Sequence, residues 1–430
     1  MYAVIGAGPM GLATARNLNK YDIPFIGFDL NSDVGGLWDI DNPHSTMYQS
    51  AHLISSKGMT EFSEFPMPDE VATYPHHSEM KRYFQSYARH FDLYRHYELS
   101  TRVVRVERNG DGWQITTERD GETQSRYFDG VLIANGTLHT PNQPSLPGKF
   151  EGELMHSCDY RDAAVFDGKR VLIVGCGNSA CDIAVDAVHR AASVDLSVRR
   201  GYYFLPKFIG GKPTDSIGGK LKLPRGLKQR LDARLIRLIV GKPGDYGLPE
   251  PSYRMYESHP VINSLVLHHL GHGDITPHGD IVGVVGDTVT FADGQSRVYD
   301  LVLMATGYKL DYPFIDASEL NWHNADAPQL YLNVFHPQYR NLFMMGMVEA
   351  AGLGWEGRNE QAEMVALYIK ARQNQHPEAD KLEKKASAEA GQTLDGGFDY
   401  LKLERMAYYV HKDSYRKAVN AHIADLKQGV

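Results

Sequence analysis

The chain has 430 residues, of which 42% are apolar, 23% charged and 10% aromatic. This length suffices for two or three domains, and the near-average composition excludes disordered, collagen-like and disulfide-scaffold proteins. The 53 acidic residues outnumber the 45 basic ones and give a formal net charge of −8, which makes nucleic acid a poor candidate partner.

The cysteines and the apolar pattern bear on cellular location. Cys158, Cys176 and Cys181 are too few for a disulfide framework and suit a reducing compartment. Met1 leads directly into an apolar segment, which leaves no room for a signal peptide, and no apolar run reaches the roughly 18 residues of a membrane span. We therefore expect a cytoplasmic protein without a membrane partner.

The predicted elements begin with a βαβ unit, in which a strand at 2–5 and a helix at 10–18 precede a strand at 25–29. The remaining predictions, in chain order, are a loop at 31–57, a helix at 79–93, β-rich runs at 102–106, 113–118 and 127–134, and a proline linker at 141–147. A second βαβ unit follows, with a strand at 170–174, a helix from 178 and a strand at 194–198. After it we predict a helix near 231–240, a strand at 298–304, a helix at 359–372 and helical surface structure at 377–430.

The first βαβ unit carries a glycine-rich turn, Gly6-Ala7-Gly8-Pro9-Met10-Gly11. In such a turn the first glycine permits the bend, the second lets a pyrophosphate approach the backbone, and the third packs the helix on the strand. Asp29 stands 18 residues beyond the last glycine, where an acid binds a ribose hydroxyl. The turn therefore favours a dinucleotide site; a purely structural tight turn is the alternative.

The second βαβ unit repeats this turn as Gly175-Cys176-Gly177-Asn178-Ser179. Its second strand leads to Arg199 and Arg200, where an NAD site carries an acid. Guanidinium groups at this point can pair with a 2′-phosphate, so the pattern favours NADPH over a merely solvated basic loop.

Two dinucleotide sites in one chain are typical of a fixed flavin that receives hydride from a diffusible donor. We accordingly predict FAD at the first turn and NADPH at the second. The segment Gly35-Gly36-Leu37-Trp38 offers close backbone approach and an apolar wall for the flavin ring.

Further motifs resemble the class B flavin-containing monooxygenases. The segment from Phe150 through His156 to Tyr160 follows the pattern F-x-G-x-x-x-H-x-x-x-[F/Y], and the segment from Asp300 to Tyr308 ends in the family's A-T-G-Y element. Both glycine turns stand in the right order around these motifs, and the resemblance extends to about Arg372.

The resemblance implies an α/β fold with two Rossmann-like dinucleotide-binding domains, the NADPH domain being inserted into the FAD domain. On this basis we assign residues 1–160 to the first part of the FAD domain, 161–297 to the NADPH domain, and 298–430 to the second part of the FAD domain with C-terminal helices. The implied reaction is NADPH- and O₂-dependent. A C4a-hydroperoxyflavin, shielded by retained NADP⁺, oxygenates a soft nitrogen or sulfur nucleophile of a small molecule, and no side chain acts as the nucleophile.

The resemblance also implies further site residues. The additional residues predicted to bind a cofactor are Val104, Asn135, Gly136, Thr306, Gly307 and Gln361. Ile54, Ser56 and Lys57 are expected near the flavin, although the family often has asparagine where this chain has Ile54. His156 is expected to order the domain junction. Membrane-bound animal members end in an apolar anchor, which the polar end of this chain does not resemble.

Several alternatives stay open at this point. A Baeyer–Villiger monooxygenase is the nearest, although its related signature usually ends in tryptophan rather than Tyr160. An NADPH oxidase, a disulfide reductase or a non-catalytic redox sensor are others. No metal is expected, because His268, His269 and His272 lack an acidic or cysteine partner nearby in sequence. Glu349, Trp355 and 344–347 are candidate pocket residues, with core packing favoured for the methionines. The oligomeric state, a homodimer included, stays open.

Overall fold

The computed structural model describes residues 1–217 and 223–429 and has a mixed α/β fold. The strands are β1 (Tyr2–Ile5), β2 (Phe25–Phe28), β3 (Tyr97–Glu98), β4 (Arg102–Asn109), β5 (Gly112–Arg119), β6 (Glu122–Phe128), β7 (Gly130–Ile133), β8 (Thr140–Pro141), β9 (Gly148–Phe150), β10 (Glu153–His156), β11 (Arg170–Val174), β12 (Ser193–Ser197), β13 (Phe208–Ile209), β14 (Lys212–Pro213), β15 (Ile275–His278), β16 (Ile281–Gly286), β17 (Thr288–Phe291), β18 (Ser296–Val298), β19 (Leu301–Met304), β20 (Tyr308–Lys309) and β21 (Leu342–Met344). The helices are α1 (Pro9–Lys20), α2 (Lys57–Thr60), α3 (His77–His90), α4 (Asn178–Val188), α5 (Thr214–Ile217), α6 (Arg225–Val240), α7 (Leu265–His272), α8 (Gly354–Gln373), α9 (Pro377–Ala388) and α10 (Lys412–Leu426). The predicted α/β class is confirmed.

Two five-stranded sheets form the framework, and every strand pair in them is parallel. The first sheet has the order β21-β7-β1-β2-β3 and the second has the order β10-β19-β11-β12-β15. Parallel sheets are covered on both faces, which explains why β1, β7 and β19 are buried at every position. In each sheet the strand that precedes the glycine turn occupies an interior position, so the turn emerges between neighbouring strands.

The chain passes twice between the sheets. Every strand of the second sheet lies between β7 and β21 in the sequence. The outgoing segment β8 and the returning segment β20 pair as a two-stranded antiparallel ribbon, with Thr140 opposite Lys309 and Pro141 opposite Tyr308. The strands β4, β5 and β6 form a separate antiparallel meander.

Three predicted segments differ from the structure. The predicted run at 127–134 spans the end of the meander strand β6 and the central strand β7, because the chain leaves one sheet for another at Asp129. The strands β10 and β19 belong to the second sheet although they lie outside 161–297, the range predicted for the NADPH domain. The segment 377–430 is not purely surface structure, since Tyr415 and Val419 of α10 are fully buried where α10 packs on α8.

Separate hydrophobic cores support the two sheets. Helices α1, α3, α8 and α10 share with the first sheet a core that includes Leu12, Phe84 and Tyr368. Helices α4 and α7 cover the second sheet with a core that includes Ile183 and Leu267. Within residues 1–217 and 223–429, no helix combines the length and the apolar character that crossing a bilayer requires.

Candidate functional site

The first glycine turn is fixed by close backbone packing. Gly6 has φ +110°, and a Cβ at this residue would lie 2.4 Å from the carbonyl oxygen of Ala134, the residue after β7. A Cβ at Gly11 would lie 1.9 Å from the Gly6 carbonyl oxygen. Gly8 precedes α1 with extended backbone, and Pro9 occupies the first turn of the helix, where its missing N–H costs nothing. The turn therefore requires glycine at positions 6 and 11 for reasons internal to the protein.

Asp29 lies directly beside this turn. Its Oδ2 accepts a hydrogen bond from the Ala7 N–H at 2.5 Å, and its Oδ1 accepts one from the Asn31 N–H at 2.8 Å. Burial raises the pKa of the carboxyl, and these backbone donors lower it in part. The carboxylate at the end of β2 is thus held at the edge of the turn, where a ribose hydroxyl can reach it.

The segment after β2 closes over the turn. Gly36 has φ +59°, and its Cβ would lie 3.0 Å from Gly8 Cα, so the two loops are in close contact. Leu37 and Trp38 complete this short 3₁₀ turn, and the Trp38 ring packs edge-on against Trp355 with 6.2 Å between centroids. Trp355 in turn contacts Phe62 and Phe84 in a largely buried aromatic cluster.

The second glycine turn repeats this geometry on the second sheet. Gly175 has φ +121°, and a Cβ there would lie 2.5 Å from the carbonyl oxygen of Ala305, the residue after β19. Gly177 differs, because it has φ −77° and its Cβ would meet no described atom within 4 Å. Close packing therefore explains Gly175, whereas the space at Gly177 is open for a bound group.

The predicted residues around the second turn have distinct surroundings. The Asn178 side chain accepts from the Ile262 N–H at 2.7 Å and donates to the Pro260 carbonyl oxygen at 3.3 Å, so it anchors a loop. Ser179 is half-buried at the start of α4. Arg199 is exposed after β12, and Arg200 lies over the Tyr202 ring at 5.3 Å. Neither arginine has a carboxylate within 4 Å among the residues described, which leaves both available to an anion.

The residues predicted to bind cofactor in the two crossing segments lie at the ribbon. Asn135 donates to the Asp311 carbonyl oxygen at 3.0 Å, and the Thr306 hydroxyl donates to the Asn142 carbonyl oxygen at 2.5 Å. Gly136 and Gly307 have φ +83° and +87°, and open space surrounds the Cβ positions of both. The turns at Gly136 and Gly307 come just after Ala134 and Ala305, the residues that pack against Gly6 and Gly175. They therefore border the two glycine turns.

Two of the three residues expected near the flavin, Ser56 and Lys57, are engaged by the protein itself. The Ser56 N–H and hydroxyl donate to Asp215 at 2.7 and 2.9 Å. The Lys57 ammonium donates to the carbonyl oxygens of Pro68, Asp69 and Val71 at 2.8–3.0 Å. Ile54, just before them, is half-buried and brings no amide to the site. Ser56 and Lys57 thus shape the loop rather than offer free donors.

Gln361 and Val104 were also predicted to bind a cofactor. Gln361 is hydrogen-bonded to protein groups, and Val104 lies near the segment that holds Asp29. The Gln361 side chain is fully buried in α8, accepts from the Gly346 N–H at 2.8 Å and donates to the Tyr415 hydroxyl at 2.5 Å. It therefore positions the turn after β21. Val104 lies half-buried at an irregularity of β4, close to Thr101, whose N–H donates to the Asp29 carbonyl oxygen at 2.8 Å.

His156 ends β10 and is fully buried. Its Nδ1 accepts from the Cys158 N–H at 3.1 Å, its ring packs against Tyr308 of the ribbon, and burial lowers its pKa. The signature histidine thus connects the second sheet to the crossing segment in its neutral form.

The two cysteines of the second glycine turn are not an exposed redox pair. The Sγ atoms of Cys176 and Cys181 are 3.9 Å apart and buried. The neighbouring thiol together with burial raises the Cys181 pKa, which keeps this sulfur protonated and a poor nucleophile.

The histidines considered as metal ligands lie on α7. His268 and His272 pack ring against ring, and His269 has an acidic partner after all, because its Nδ1 lies 2.8 Å from Asp274. The sequence expectation of no acidic partner is wrong at this point, since the turn after α7 folds Asp274 back onto the helix. In the described part of the chain, no group of three His, Cys, Asp or Glu side chains is arranged to hold a metal ion.

One feature was not predicted from the sequence. The loop Ser45–Ser50 forms a clamp between two modules, the one built on the first sheet and the one built on the second. Tyr48 donates to Asp182 at 3.1 Å, and Ser50 donates to Asp186 at 2.5 Å, both on α4. The Arg161 guanidinium donates to the carbonyl oxygens of Ser45 at 2.6 Å and Cys158 at 2.7 Å. The loop and its partners on α4 and at Arg161 lie more than 110 residues apart in sequence, and no local pattern connects them.

A polar cluster after β21 includes Glu349, one of the candidate pocket residues. Its carboxylate lies 3.6 Å from Arg405, which together with Arg358 and His259 offsets burial and lowers the Glu349 pKa. His259 precedes Pro260, the residue bound by Asn178. By contrast, the methionines at 344, 345 and 347 are buried core residues.

Both glycine turns are suited to a dinucleotide. Each of the helices α1 and α4 begins after a glycine, and no side chain of the described residues caps either N-terminus. The first-turn N–H groups and the positive end of the helix dipole therefore remain available to a pyrophosphate. Asp29 at one turn suits a ribose hydroxyl, and Arg199 and Arg200 suit a 2′-phosphate at the other. The residues present fit FAD and NADPH.

Comparison with known proteins agrees with this geometry. The family model described as flavin-binding monooxygenase-like matches residues 1–424. Flavin-containing monooxygenase 5 of Mus musculus is 32% identical over an aligned region that covers 81% of this chain and 69% of the relative. Among solved structures, S-allyl-L-cysteine S-oxygenase from Allium sativum has a TM-score of 0.68 at 21% identity, covering 98% of this chain and 88% of that one. A cyclohexanone monooxygenase mutant from Rhodococcus sp. Phi1 bound to NADP⁺ has a TM-score of 0.74 at 20% identity, covering 100% and 98%.

The two solved structures support the fold alone. The family model and the curated relative also show the family. The chain belongs to the flavin-binding monooxygenase-like family, and with that membership it is a flavin monooxygenase whose cofactors are FAD and NADPH.

Proposed function

We propose that the protein uses NADPH and O₂ to oxygenate a soft nitrogen or sulfur atom of a small molecule. The observation that carries the proposal is the pair of equivalent glycine turns, packed against Ala134 on the first sheet and Ala305 on the second. One turn is matched to a ribose and the other to a 2′-phosphate, as a resident flavin and a diffusible hydride donor require.

The proposed division of the chain follows the sheets. The first sheet with α1 and α8 is the FAD domain, and the segment that builds the second sheet is an inserted NADPH domain. Because β19 pairs with β11 and β10 pairs with β19, we extend the inserted domain to include Glu153–His156 and Leu301–Met304. The β8–β20 ribbon is then the double connection between the domains.

The roles of the protein groups follow from their positions. The turn Gly6–Gly11 and the N-terminus of α1 would hold the FAD pyrophosphate, and Asp29 the adenosine ribose. The N-terminus of α4, with Arg199 and Arg200, would hold NADPH. Bound FAD supplies the electron transfer from NADPH and the activation of O₂ at its C4a atom. The protein contributes orientation and exclusion of water, which protects reactive oxygen species from side reactions.

Ile54 bears on how well the site retains activated oxygen. Its side chain cannot donate the hydrogen bond that an asparagine amide could at that point. We therefore propose that the enzyme slowly oxidises NADPH without substrate and reduces O₂ to hydrogen peroxide. An Ile54→Asn variant should slow this uncoupled turnover, measured as the rate of peroxide release in the absence of substrate.

The alternative is oxygen insertion into a ketone. Tyr160 ends the histidine signature, donates to Asp186 at 2.8 Å and stacks on Phe166, so its hydroxyl is used within the second module. The structural neighbours include an S-oxygenase and a cyclohexanone monooxygenase by name, and their identities below 25% leave the substrate class to experiment.

The deciding experiment offers the enzyme a tertiary amine, a thioether and a cyclic ketone, and counts product against NADPH consumed. The proposal predicts N-oxide or sulfoxide as the main product, and a lactone as main product would favour the Baeyer–Villiger alternative. Disulfide reduction, or NADPH oxidation ending wholly as peroxide across the panel, would reject oxygenation. A Gly177→Val variant serves as the matched control, because it fills the open space at the NADPH turn and should suppress every NADPH-dependent product while FAD stays bound.

A further inference from the structure

Helix α6 carries an apolar stripe on its solvent-facing side. Leu227, Leu231, Leu235, Leu238 and Ile239 are 48, 43, 52, 84 and 43% exposed. Their spacing of three and four residues places them along one face of the helix. Side chains of this size and number on one helix face are normally covered.

The opposite face of α6 fixes this orientation. Gln229 and Ile236 are buried, and the Gln229 amide donates to the Met255 carbonyl oxygen at 2.9 Å and to Glu257 at 3.2 Å. About 100° of rotation per residue places these two residues roughly half a turn from the centre of the leucine stripe. The stripe therefore points away from the protein body.

The stripe is a concentration of apolar surface rather than ordinary scatter. Of the fifteen large apolar side chains that are exposed in the described residues, five lie on these four turns of helix. Contiguous exposed apolar patches on otherwise polar surfaces mark sites of interaction with a protein or a membrane.

The charges of α6 indicate whether the stripe contacts a protein or a membrane. The helix has five basic residues, Arg225, Lys228, Arg230, Arg234 and Arg237, and one acidic residue, Asp232, in a chain whose net charge is −8. Arg230 and Arg234 flank the stripe on one side and have no carboxylate within 4 Å in the described residues. Lys228 pairs with Asp232, and Arg237 lies 3.2 Å from the half-exposed Glu250.

We propose that α6 docks on the surface of an anionic lipid bilayer. A helix with leucines on one face and arginines beside them lies in the plane of the interface, with its apolar side chains among the acyl chains and its cations at lipid phosphates. Its 16 residues span about 24 Å, enough to lie along the surface as one unit. This peripheral contact goes beyond the proposed function, and it replaces the prediction of no membrane partner, which rested on the lack of a spanning segment.

Charge favours a bilayer over a second copy of the chain. An antiparallel symmetric dimer through α6 would bring Arg230 and Arg234 of both copies together, and like charges in a contact oppose association. The overall negative charge does not prevent lipid binding, because salt screens charges farther away than about 8 Å at physiological ionic strength. The local positive patch therefore governs the approach of α6 to lipid.

The test is co-sedimentation of the FAD-loaded full chain with vesicles of phosphatidylcholine alone or with about 30% phosphatidylglycerol. We expect binding to the anionic vesicles, weakened by added salt. Leu235→Ser with Leu238→Ser should reduce the partition coefficient about tenfold or more, and Arg230→Gln with Arg234→Gln should reduce it by about as much. Val285→Ser, which removes an 81% exposed side chain on β16, is the matched control and should bind as the unmodified chain does.

Two outcomes would overturn the proposal. One is a partition coefficient that is the same for anionic and for phosphatidylcholine vesicles, or that stays the same after the leucine substitutions. The other is a dimer, measured by light scattering, that the leucine substitutions dissociate while vesicles bind none of the proteins, since a second copy would then cover the stripe. FAD content and thermal unfolding of each variant confirm that a loss of binding is not a loss of fold.

Discussion

At the scale of single residues, the glycines of the second turn separate packing from binding. A side chain at Gly175 would collide with the Ala305 carbonyl oxygen, so a change there damages the fold and binding together. Gly177 has ordinary backbone angles and open space, so protein packing alone does not require glycine. A requirement for glycine at 177 would have to come from a bound dinucleotide.

This contrast yields a prediction for Gly177→Ala. The variant should fold, keep its thermal stability and retain FAD, while its KM for NADPH rises by about tenfold or more because the added methyl group meets the pyrophosphate. Steady-state kinetics and the thermal unfolding midpoint are the measurements. Gly175→Ala is the companion variant and should lose stability as well. An unchanged KM in Gly177→Ala would show that no phosphate approaches this backbone.

A second prediction concerns the cofactor preference. Arg199 and Arg200 follow β12 without carboxylate partners among the described residues, and each charge-assisted hydrogen bond to a 2′-phosphate is worth about 1.5–3 kcal/mol. Replacing both by alanine should raise the KM for NADPH by roughly one to two powers of ten for each guanidinium that binds the phosphate, and leave the KM for NADH nearly unchanged. Steady-state kinetics with each donor make the comparison. Equal use of NADPH and NADH by the unmodified enzyme would contradict the assignment.

A third prediction concerns acid stability and arises from a buried histidine far from the cofactor turns in sequence. His336 is 6% exposed, its Nδ1 accepts from the N–H groups of Gln338 and Tyr339, and burial together with Arg108 lowers its pKa to about 4. In the unfolded chain the pKa is near 6.5, so between pH 6.5 and 4 the unfolded state binds a proton that the folded state does not. Stability should therefore fall as the pH falls through this window.

His336→Asn isolates this contribution, because the amide oxygen can keep an acceptor near Nδ1 without titrating. Between about pH 7.5 and 5 the free energy of unfolding should fall by about 2 kcal/mol less in the variant than in the unmodified protein. Urea titrations at the two pH values make the comparison. Identical losses in both proteins would show that His336 is not held neutral by the fold.

At the scale of elements, the clamp loop is the feature that unites the two modules. Arg161 donates to four backbone carbonyl oxygens, two in the clamp loop and two in its own segment. A guanidinium offers five N–H donors in a rigid plane, whereas an ammonium has three donors on a flexible stem. Arg161 therefore supports the loop from one side, and the bonds of Tyr48 and Ser50 to α4 support it from the other.

Arg161→Lys should lower the free energy of unfolding by about 1–3 kcal/mol and increase peroxide release per NADPH, because a looser clamp admits water between the modules. Urea unfolding and peroxide assays measure the two effects. Arg190→Lys is the control, since Arg190 forms an exposed pair with Asp167 and should change stability by less than about 0.5 kcal/mol. Equal effects of the two substitutions would refute the clamp role of Arg161.

The elements also show what the sequence could predict. The strand at 170–174 and the start of α4 at Asn178 agree with the prediction residue for residue, because strand periodicity and the glycine turn are local signals. The placement of β21 beside β7, and of β10 beside β19, was not predictable, since each pairing joins segments far apart in the chain. The same holds for the clamp, which depends on hydrogen bonds between distant loops.

At the scale of the whole molecule, the family could be predicted because its motifs are short and ordered along the chain. The roles of the individual site residues could be predicted only in part. Ser56, Lys57 and Gln361 were expected at the cofactor, and each is bonded to protein groups whose identity only the fold reveals. A helix was predicted near 231–240, but the exposed leucines of α6 were not, because a sequence does not show which face of an amphipathic helix remains uncovered.

The proposed function requires that an oxygen atom from O₂ is transferred to a soft nucleophile at the expense of NADPH. The most direct measurement is turnover of a thioether and a tertiary amine under ¹⁸O₂, with mass spectrometry of the product and a count of NADPH consumed. The sulfoxide or N-oxide should contain one ¹⁸O atom for each coupled NADPH, with the second oxygen atom released as water. Unlabelled product, or one labelled hydrogen peroxide formed for every NADPH consumed with every substrate, would contradict the proposed function.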